Sequence, residues 1–315
     1  MSVFLYTFLA TLFRMASSSS SSSSFKVICN CFSVSDGELQ DVGLGLYPSM
    51  SLLNHNCRPN CVMMFSRKKL ELRAVRRIQQ YEELCISYTD ILAPRVERRT
   101  QLMDQFHFLC QCQRCSNDQS DCTMLGGEES RWMIIRHSMP HLETLQHEEK
   151  WVELQKVCQA LICSNSPAVP DSNVYMLRVL NSLMDACISL SQYETALQYG
   201  TRTLNAYMLH YPDPHPSHAV QLLRVAKLQH YCGDVEQAER TFTQAYNVMK
   251  VTHGTHHPLV SEHIPQMLDW IEIWGIWRPS QLLKLVVVVI KPFLNHFCFV
   301  ARRIILLKED TAIRE

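Results

Sequence analysis

The chain has 315 residues, 47% of them hydrophobic and 19% charged, so it is long enough for two or three domains with a sizeable core. Its 30 Lys and Arg balance its 30 Asp and Glu, which excludes a global positive field for nucleic acid. Nine of the 14 cysteines fall within residues 29–122, whereas a disulfide-stapled secreted domain is short and bridged throughout. This distribution favours a reducing compartment, with some thiols on metal and the others buried.

An apolar run at residues 3–13 precedes eight serines at residues 17–24. A signal peptide has an apolar segment of this length, but no Lys or Arg precedes the run, which is also too short to span a bilayer. Poly-serine is disordered by composition. We therefore expect a disordered leader over residues 1–24, with a signal peptide as the alternative.

Short strands joined by turns are predicted over residues 25–92. Positions 69–75 alternate between polar and apolar residues, which is typical of a half-buried strand, and positions 84–88 indicate another. The Gly43-x-Gly45 pair is interpreted as a turn, because no helix follows it as a dinucleotide site requires.

A polar helix predicted over residues 95–103 leads into a cysteine cluster, Cys110-x-Cys112-x-x-Cys115. Zinc favours four ligands in a tetrahedron, and three cysteines in six residues supply three of them. The fourth ligand must then come from elsewhere in the chain. The alternative is a redox or disulfide set of thiols.

Beyond residue 123, apolar residues recur at helical spacing, notably over residues 130–145 and 150–162. A period of 42 residues relates several positions: His215-Pro216 to His257-Pro258, Tyr193-x-x-Ala196 to Val235-x-x-Ala238, and Trp151 and Leu154 one period earlier. A repeat of this length predicts stacked helix pairs, as in tetratricopeptide-like arrays. The alternative is chance spacing among ordinary helices.

Residues 279–315 are rich in apolar residues, but charged residues such as Lys284, Lys291 and Arg302 interrupt them. Since no window of 18 residues is free of charge, we expect no membrane-spanning helix in this segment.

Three motifs carry a family resemblance: Asn54-His55-x-Cys57-x-Pro59-Asn60, Glu82-Glu83-Leu84-x-Ile86-x-Tyr88, and the cysteine cluster. Their order and spacing resemble the carboxy-terminal half of a SET lysine methyltransferase with its post-SET zinc loop. Residues 25–30 and 43–48 and the later helical region are similar to the SET-and-MYND-domain family, so that the resemblance covers about residues 25–265.

The resemblance implies an α+β fold, in which a partial β-rich SET lobe with a post-SET zinc loop precedes an all-α tetratricopeptide-like helical repeat domain. Most residues are then helical. The expected segments are the leader (1–24), the carboxy-terminal half of the SET domain (25–92), the post-SET zinc-binding segment (93–122), the helical repeat domain (123–278) and a divergent tail (279–315).

The family methylates protein lysines with S-adenosylmethionine, and the resemblance implies the same chemistry here. It places the active-site hydroxyl at Tyr88 and the fourth zinc ligand at Cys57, which closes a structural site with Cys110, Cys112 and Cys115. The other implied positions line the site: cofactor-binding residues at Asn30, Ser51, Leu52, Asn54, His55 and Phe108, and substrate-channel residues at Phe32 and Phe106.

The chain departs from the family pattern in three places. It begins inside the SET domain, without the family's glycine-rich cofactor segment and MYND zinc module, so catalysis is expected to be impaired. Phe106 stands where relatives commonly have a tyrosine. Tyr81 replaces the glycine usual before the Glu-Glu-Leu sequence, which predicts strain at that turn.

Two functions follow as hypotheses. The first is methylation of a lysine in a histone or cytosolic protein, with S-adenosylmethionine as cofactor and zinc as a structural ion. This protein would be a monomer of the cytoplasm and nucleus, without a nucleic-acid or membrane partner. The alternative is a non-catalytic interaction protein whose helical repeats bind a peptide. Binding of S-adenosylmethionine discriminates between the two.

Overall fold

The computed structural model describes residues 30–276, apart from residues 67 and 118. The predicted leader, the first five residues of the predicted SET segment and the predicted tail lie outside the described residues. The chain divides into two compact units, Met1–Ile264 and Pro265–Glu315. Among the described residues, no helix combines the length and the apolar character needed to cross a membrane.

Short strands make up the first part of the described chain, and they form three two-stranded sheets. The strands are β1 (Cys31–Ser35), β2 (Asp41–Leu46), β3 (Asn54–His55), β4 (Cys61–Ser66), β5 (Lys69–Ala74) and β6 (Cys85–Ile86). β1 pairs with β2 and β4 with β5 in antiparallel register, whereas β3 and β6 pair in parallel. The strands predicted over residues 69–75 and 84–88 are confirmed as β5 and β6, the second shortened to two residues.

The Gly43-x-Gly45 pair lies inside β2, so its interpretation as a turn was wrong. A Cβ atom at Gly45 would lie 2.6 Å from the Cε2 atom of Tyr47. The glycine is therefore required by the close approach of an aromatic ring rather than by a change of chain direction.

Helices form the rest of the described chain. They are α1 (Arg95–Phe106), α2 (Gln113–Ser116), α3 (Gln119–Met124), α4 (Glu129–His147), α5 (Trp151–Asn165), α6 (Val174–Ser189), α7 (Tyr193–His210), α8 (Pro216–Tyr231), α9 (Val235–Thr252), a short π-helix (Leu259–His263) and α10 (Ile264–Ile276). α6 packs against α4, α5 and α7 and buries residues on most of its circumference, which makes it the centre of the largest apolar cluster. The α+β class, a small strand-rich part followed by a larger helical part, is confirmed.

The 42-residue repeat is confirmed by the helix boundaries. α5, α7 and α9 begin at Trp151, Tyr193 and Val235, which are 42 residues apart. The residue three positions after each start (Leu154, Ala196 and Ala238) is fully buried in every case. Small or apolar residues at equivalent points allow successive helix pairs to stack in the same way, which chance spacing would not produce.

Contacts between the two ends of the first compact unit join the strands to the last repeat helices. The Nε atom of Arg73 on β5 donates a hydrogen bond to the carbonyl of Val251, at 2.8 Å. Lys227 on α8 forms an ion pair with Glu38, at 2.5 Å. The strands and helices up to Ile264 therefore belong to one unit. The finer segment boundaries at residues 92, 122 and 278 stay predictions.

Candidate functional site

The parallel pair of β3 and β6 brings the first two motifs together. Asn54 lies opposite Cys85, and His55 lies opposite Ile86. The N–H of Asn56 continues the ladder to the carbonyl of Ile86, at 2.9 Å. Two strands of two residues each are thus enough to place the asparagine–histidine turn beside the segment that leads to the predicted active-site tyrosine.

A buried asparagine holds this arrangement in place. The side-chain amide of Asn60 donates to the carbonyl of Glu83 at 2.7 Å, and its oxygen accepts the N–H of Cys85 at 2.8 Å. Only 3% of Asn60 is exposed, so both bonds are protected from water. The sequence analysis assigned no role to Asn60, although it is the last residue of the first motif.

The acidic turn that follows β5 is structural. Glu82 pairs with Arg76 and accepts the N–H of Gln79 at 2.9 Å. The bond from Arg76, followed by the bond from Gln79, holds the pKa of Glu82 at about 2, far from the range of a general base. Tyr81 adopts a φ of 64°, the left-handed conformation that glycine favours, as its place in the motif predicted.

Tyr88 is held at both its backbone and its hydroxyl group. Its N–H donates to the Nδ1 atom of His55 at 2.9 Å, and its hydroxyl donates to the carbonyl of Leu53. Its ring centroid lies 4.7 Å from that of Phe106 and 6.5 Å from that of Phe108. Burial raises the pKa of Tyr88, so that the hydroxyl stays protonated.

The end of α1 directs the two phenylalanines toward Tyr88. His107 has a φ of 59°, and its N–H bonds the carbonyl of Met103 at 3.0 Å, so the helix stops at Phe106. The chain turns there, which allows Phe108 to reach within 6.0 Å of the ring of His55. Burial, followed by the charge of Arg98, lowers the pKa of His55 to about 4.

Four other predicted site residues lie in turns or at the start of a strand. Ser51 and Leu52 occupy a 3₁₀ turn (Met50–Leu52) that directly precedes the carbonyl bonded by Tyr88, and Leu52 is 83% exposed. Asn30 lies in the turn before β1. Asn54 is exposed, and its amide donates to the Glu83 carboxylate at 2.5 Å.

Phe32 belongs to a different group of aromatic rings. It packs edge-on against Tyr47 at 6.2 Å, and Tyr47 in turn packs against Phe65 at 5.6 Å. Among the described residues, the ring contact of Phe32 is therefore with Tyr47, in the chain after β2, and not with Tyr88.

The four predicted zinc ligands meet in one place. The sulfur atoms of Cys57, Cys110, Cys112 and Cys115 all lie within 4.8 Å of one another. Cys57 Sγ is 3.9 Å from Cys110 Sγ and 3.5 Å from Cys115 Sγ. A tetrahedral zinc with Zn–S bonds of about 2.3 Å separates its sulfurs by about 3.8 Å, so the residues fit the ion. All four thiols are free, whereas a disulfide would bring two sulfurs to about 2.05 Å.

A buried arginine is an independent sign that this cluster carries negative charge. The side chain of Arg98 is fully buried, and its Nε and Nη2 atoms lie 3.3 Å from Cys57 Sγ and 3.6 Å from Cys115 Sγ. Its Nη1 atom donates to the carbonyl of Ala93 at 2.6 Å, and the carboxylate of Asp121 lies 4.0 Å away. A buried guanidinium requires compensation, which zinc-bound thiolates provide and neutral thiols do not.

Two further arginines bind the backbone of the same loop. Arg99 donates to the carbonyls of Cys110 and Cys115, at 3.2 and 3.1 Å. Arg114 donates to the carbonyl of Cys57 at 3.2 Å. These contacts were not predicted from the sequence, although the Arg-rich start of α1 and the position of Arg114 between Cys112 and Cys115 were usable signals.

The cysteines differ in acidity when no metal is bound. Burial raises the pKa of Cys57 well above its usual value and that of Cys110 to about 11. Burial acts on Cys112 too, but hydrogen bonds from the N–H groups of Cys115 and Cys57 outweigh it and lower the pKa of Cys112 to about 7. Cys112 thus forms a thiolate more readily than Cys57 and Cys110, from which a bound metal must displace protons.

Comparison with known proteins now identifies the family. A SET domain model matches residues 13–89. The chain is 47% identical over 239 residues to the human histone-lysine N-methyltransferase SMYD3, which covers 76% of this chain and 56% of that protein. The chain belongs to the SET-and-MYND-domain (SMYD) family. Its identity to human N-lysine methyltransferase SMYD2 is 32% over 250 residues, with 75% and 57% covered. Its identity to human histone-lysine N-methyltransferase SMYD1 is 32% over 261 residues, with 74% and 53% covered.

This SMYD chain spans about half the length of the curated relatives it matches. A crystal structure of TPR-like repeats of a kinesin light chain from Podosopora anserina covers 63% of this chain and 96% of its own, at 13% identity and a TM-score of 0.30. A likeness at that level carries no weight, and the repeat assignment rests on the 42-residue period of the helices.

Proposed function

We propose that this SMYD chain supplies the tyrosine and zinc-loop side of a site for S-adenosylmethionine-dependent methylation of a protein lysine. One observation carries the proposal. Tyr88 is fixed at its N–H by His55 and at its hydroxyl by Leu53, between the rings of Phe106 and Phe108.

The fixed hydroxyl suits methyl transfer to an amine. S-adenosylmethionine would supply, when bound, a methyl group on a sulfonium sulfur; the neutral lysine amine would form the new N–C bond as the S–C bond breaks, and S-adenosylhomocysteine would leave. Because the hydroxyl proton of Tyr88 is donated to Leu53, only the oxygen lone pairs face the reacting groups. They accept a hydrogen bond from the amine and stabilise the partial positive charge that develops on the methyl group.

The aromatic rings contribute by excluding water. Phe106 and Phe108 make an apolar wall beside Tyr88. Removal of water disfavours the charged ammonium form of the lysine, so that the nucleophilic neutral amine is more populated. The proton released by the lysine then leaves to solvent on the open side of the site.

The role proposed for zinc is structural. Four thiolates close the coordination sphere, which leaves no position for substrate. Cys57 lies on the segment that follows β3, whereas the other three ligands follow α1. The ion would therefore join the loop that carries Phe108 to the strand that carries His55.

We place the cofactor against the exposed edge formed by Asn54 and the turn that contains Ser51 and Leu52, with Phe108 beside its adenine and Asn30 and Phe32 farther along the same wall. Among the described residues this side is open, since 83% of Leu52 is exposed. The reaction rate of a catalytic site falls steeply when the positions of its groups loosen by about 1 Å. We therefore expect weak cofactor binding and slow turnover by the 315-residue chain.

The proposed substrate is a lysine in a histone or cytosolic protein, because the relatives named above are histone-lysine or N-lysine methyltransferases. We propose that the chain acts as a monomer in the cytoplasm and nucleus.

Calorimetric titration with S-adenosylmethionine and transfer of a radiolabelled methyl group to histones and cytosolic lysate test the proposal. Tyr88→Phe should lower methyl transfer about 100-fold, comparable to the loss of one preorganised polar group in other active sites, and leave cofactor affinity unchanged. A chain that binds no cofactor, or a Tyr88→Phe variant as active as the parent, would overturn the assignment.

The second candidate is an interaction protein that uses its helical repeats. The confirmed 42-residue repeat favours it, because stacked helix pairs present extended concave surfaces for peptides. Specific peptide binding by a chain that does not bind S-adenosylmethionine would select this function.

A further inference from the structure

His55 has a contact on each of its two ring nitrogens. Nδ1 lies 2.9 Å from the backbone nitrogen of Tyr88, and Nε2 lies 3.1 Å from the sulfur of Cys57. One imidazole therefore spans the distance between the predicted active-site tyrosine and the predicted zinc ligand, two groups that lie 31 residues apart in the sequence.

The partners determine the tautomer of this ring. A backbone N–H can only donate, so Nδ1 must accept the bond from Tyr88 and carry no hydrogen. The ring hydrogen of His55 then resides on Nε2, where it faces the Cys57 sulfur. The same rule applies to metal-bound histidines, in which the partner of one ring nitrogen determines whether the other carries the hydrogen.

The Cys57 sulfur is a strong acceptor only as a thiolate. It is 1% exposed, and it faces two donors, Nε2 of His55 and Nε of Arg98 at 3.3 Å. A neutral thiol is a weak acceptor, whereas hydrogen bonds to a charged acceptor are about twice as strong as neutral ones. Binding of zinc, which holds Cys57 as a thiolate, should thus strengthen the bond from His55.

The same short segment also fixes the hydroxyl of the tyrosine. Leu53 accepts the bond from the Tyr88 hydroxyl, His55 accepts the bond from the Tyr88 N–H, and Cys57 follows two residues later. Residues 53–57 therefore hold Tyr88 at two points and end at the metal site.

We propose that His55 is a positioning residue that transmits zinc occupancy to Tyr88, and that its side chain does not serve as a cofactor contact. The Nε2–H of His55 binds the Cys57 thiolate, and the orientation fixed in this way keeps Nδ1 on the Tyr88 N–H. The significance of this relay for methyl transfer rests on the proposed function, whereas the relay itself does not.

Two substitutions separate the two ends of the relay. In His55→Asn, the amide oxygen occupies the place of Nδ1 and keeps the acceptor for Tyr88, while the donor to Cys57 is lost. In His55→Gln, the amide nitrogen occupies the place of Nε2 and keeps the donor to Cys57, while the acceptor for Tyr88 is lost. Each variant is the matched control of the other.

Two properties of the full zinc-bound chain are measured, zinc affinity and amide exchange at Tyr88, and neither measurement needs S-adenosylmethionine. Zinc affinity by chelator competition should fall 10-fold or more in His55→Asn, in line with the effect of losing an outer-shell partner, and stay near the parental value in His55→Gln. Amide exchange at Tyr88 should be fast in His55→Gln with or without zinc, and in His55→Asn it should no longer respond to the removal of zinc.

The parent chain gives a third test that no folding defect of a variant can obscure. Its His55 ring should show the Nε2–H tautomer in ¹⁵N spectra, and removal of zinc should accelerate exchange at Tyr88 while the amide of Leu177, in the buried helix α6, stays protected. An Nδ1–H tautomer, an exchange rate at Tyr88 that zinc does not change, or equal losses in both variants would overturn the relay. A relay that holds in a chain without methyl transfer would reject only the proposed function.

Discussion

Replacement of Arg98 by methionine tests whether the cysteine cluster is a charged zinc site. Methionine preserves most of the length of the side chain and removes its charge. Arg98 is fully buried and contacts the sulfurs of Cys57 and Cys115 at 3.3 and 3.6 Å. A zinc ion with four thiolates has a formal charge of −2, so the guanidinium compensates half of it. We expect Arg98→Met to weaken zinc binding.

The size of the effect follows from the two N–H···S contacts. Hydrogen bonds to charged groups contribute about 1.5 kcal/mol each at the lower end of their range, so that two of them contribute about 3 kcal/mol. That corresponds to roughly a 100-fold increase in the zinc dissociation constant. Because the contact to Cys115 is long, we expect zinc affinity to fall about 10- to 100-fold, which is the range typical of losing an outer-shell partner.

In the zinc-free protein, Arg98→Met should instead be stabilising. Without zinc, the raised pKa values of Cys57 and Cys110 keep those thiols neutral, and Arg98 retains the carboxylate of Asp121, 4.0 Å away, as a weak counter-charge. A buried charge with so little compensation is destabilising, and its replacement by an apolar side chain removes much of the penalty. We therefore expect zinc-free Arg98→Met to have a higher free energy of unfolding than the zinc-free parent.

Chelator competition and denaturant unfolding, each with and without zinc, measure both effects. Arg99→Met is the matched control, since Arg99 binds the carbonyls of Cys110 and Cys115 and, among the described residues, forms no hydrogen bond to sulfur. It should lose less zinc affinity than Arg98→Met and show no gain in stability without zinc. A folded Arg98→Met variant with parental zinc affinity would refute the charge argument.

Three further predictions follow from single positions. Cys112→Ser should abolish stoichiometric zinc in metal analysis, because a structural site needs all four ligands; unaltered zinc content would reject the ligand set. Tyr81→Gly should raise the free energy of unfolding by about 1 kcal/mol, since Tyr81 is 96% exposed and has a φ of 64°; an unchanged denaturation midpoint would exclude strain at this turn. Burial lowers the pKa of His253 to about 4, despite its bond to the Gly37 carbonyl, so protonation favours the unfolded state and stability should fall as the pH drops from about 6.5 to 4. His253→Gln should reduce that pH dependence by about one proton; a slope equal to that of the parent would contradict the assignment.

Local patterns in the sequence determined the elements that depend on neighbouring residues. The 42-residue period located the starts of α5, α7 and α9, because equivalent buried positions recur wherever helix pairs stack. The spacing of Cys110, Cys112 and Cys115 indicated a metal loop, since three ligands in one tight turn need no distant partner to be recognised. The left-handed turn at Tyr81 was likewise visible from its place in a motif.

Tertiary structure alone decided which distant groups meet. Arg98 lies 41 residues after Cys57, and only the approach of α1 to the segment after β3 brings its guanidinium to the sulfur. The roles of Asn60 and His55 likewise depend on partners 25 and 33 residues away. Periodicity records which face of an element is buried, but the partner of a buried polar group depends on how separate elements pack, and no local pattern carries that information.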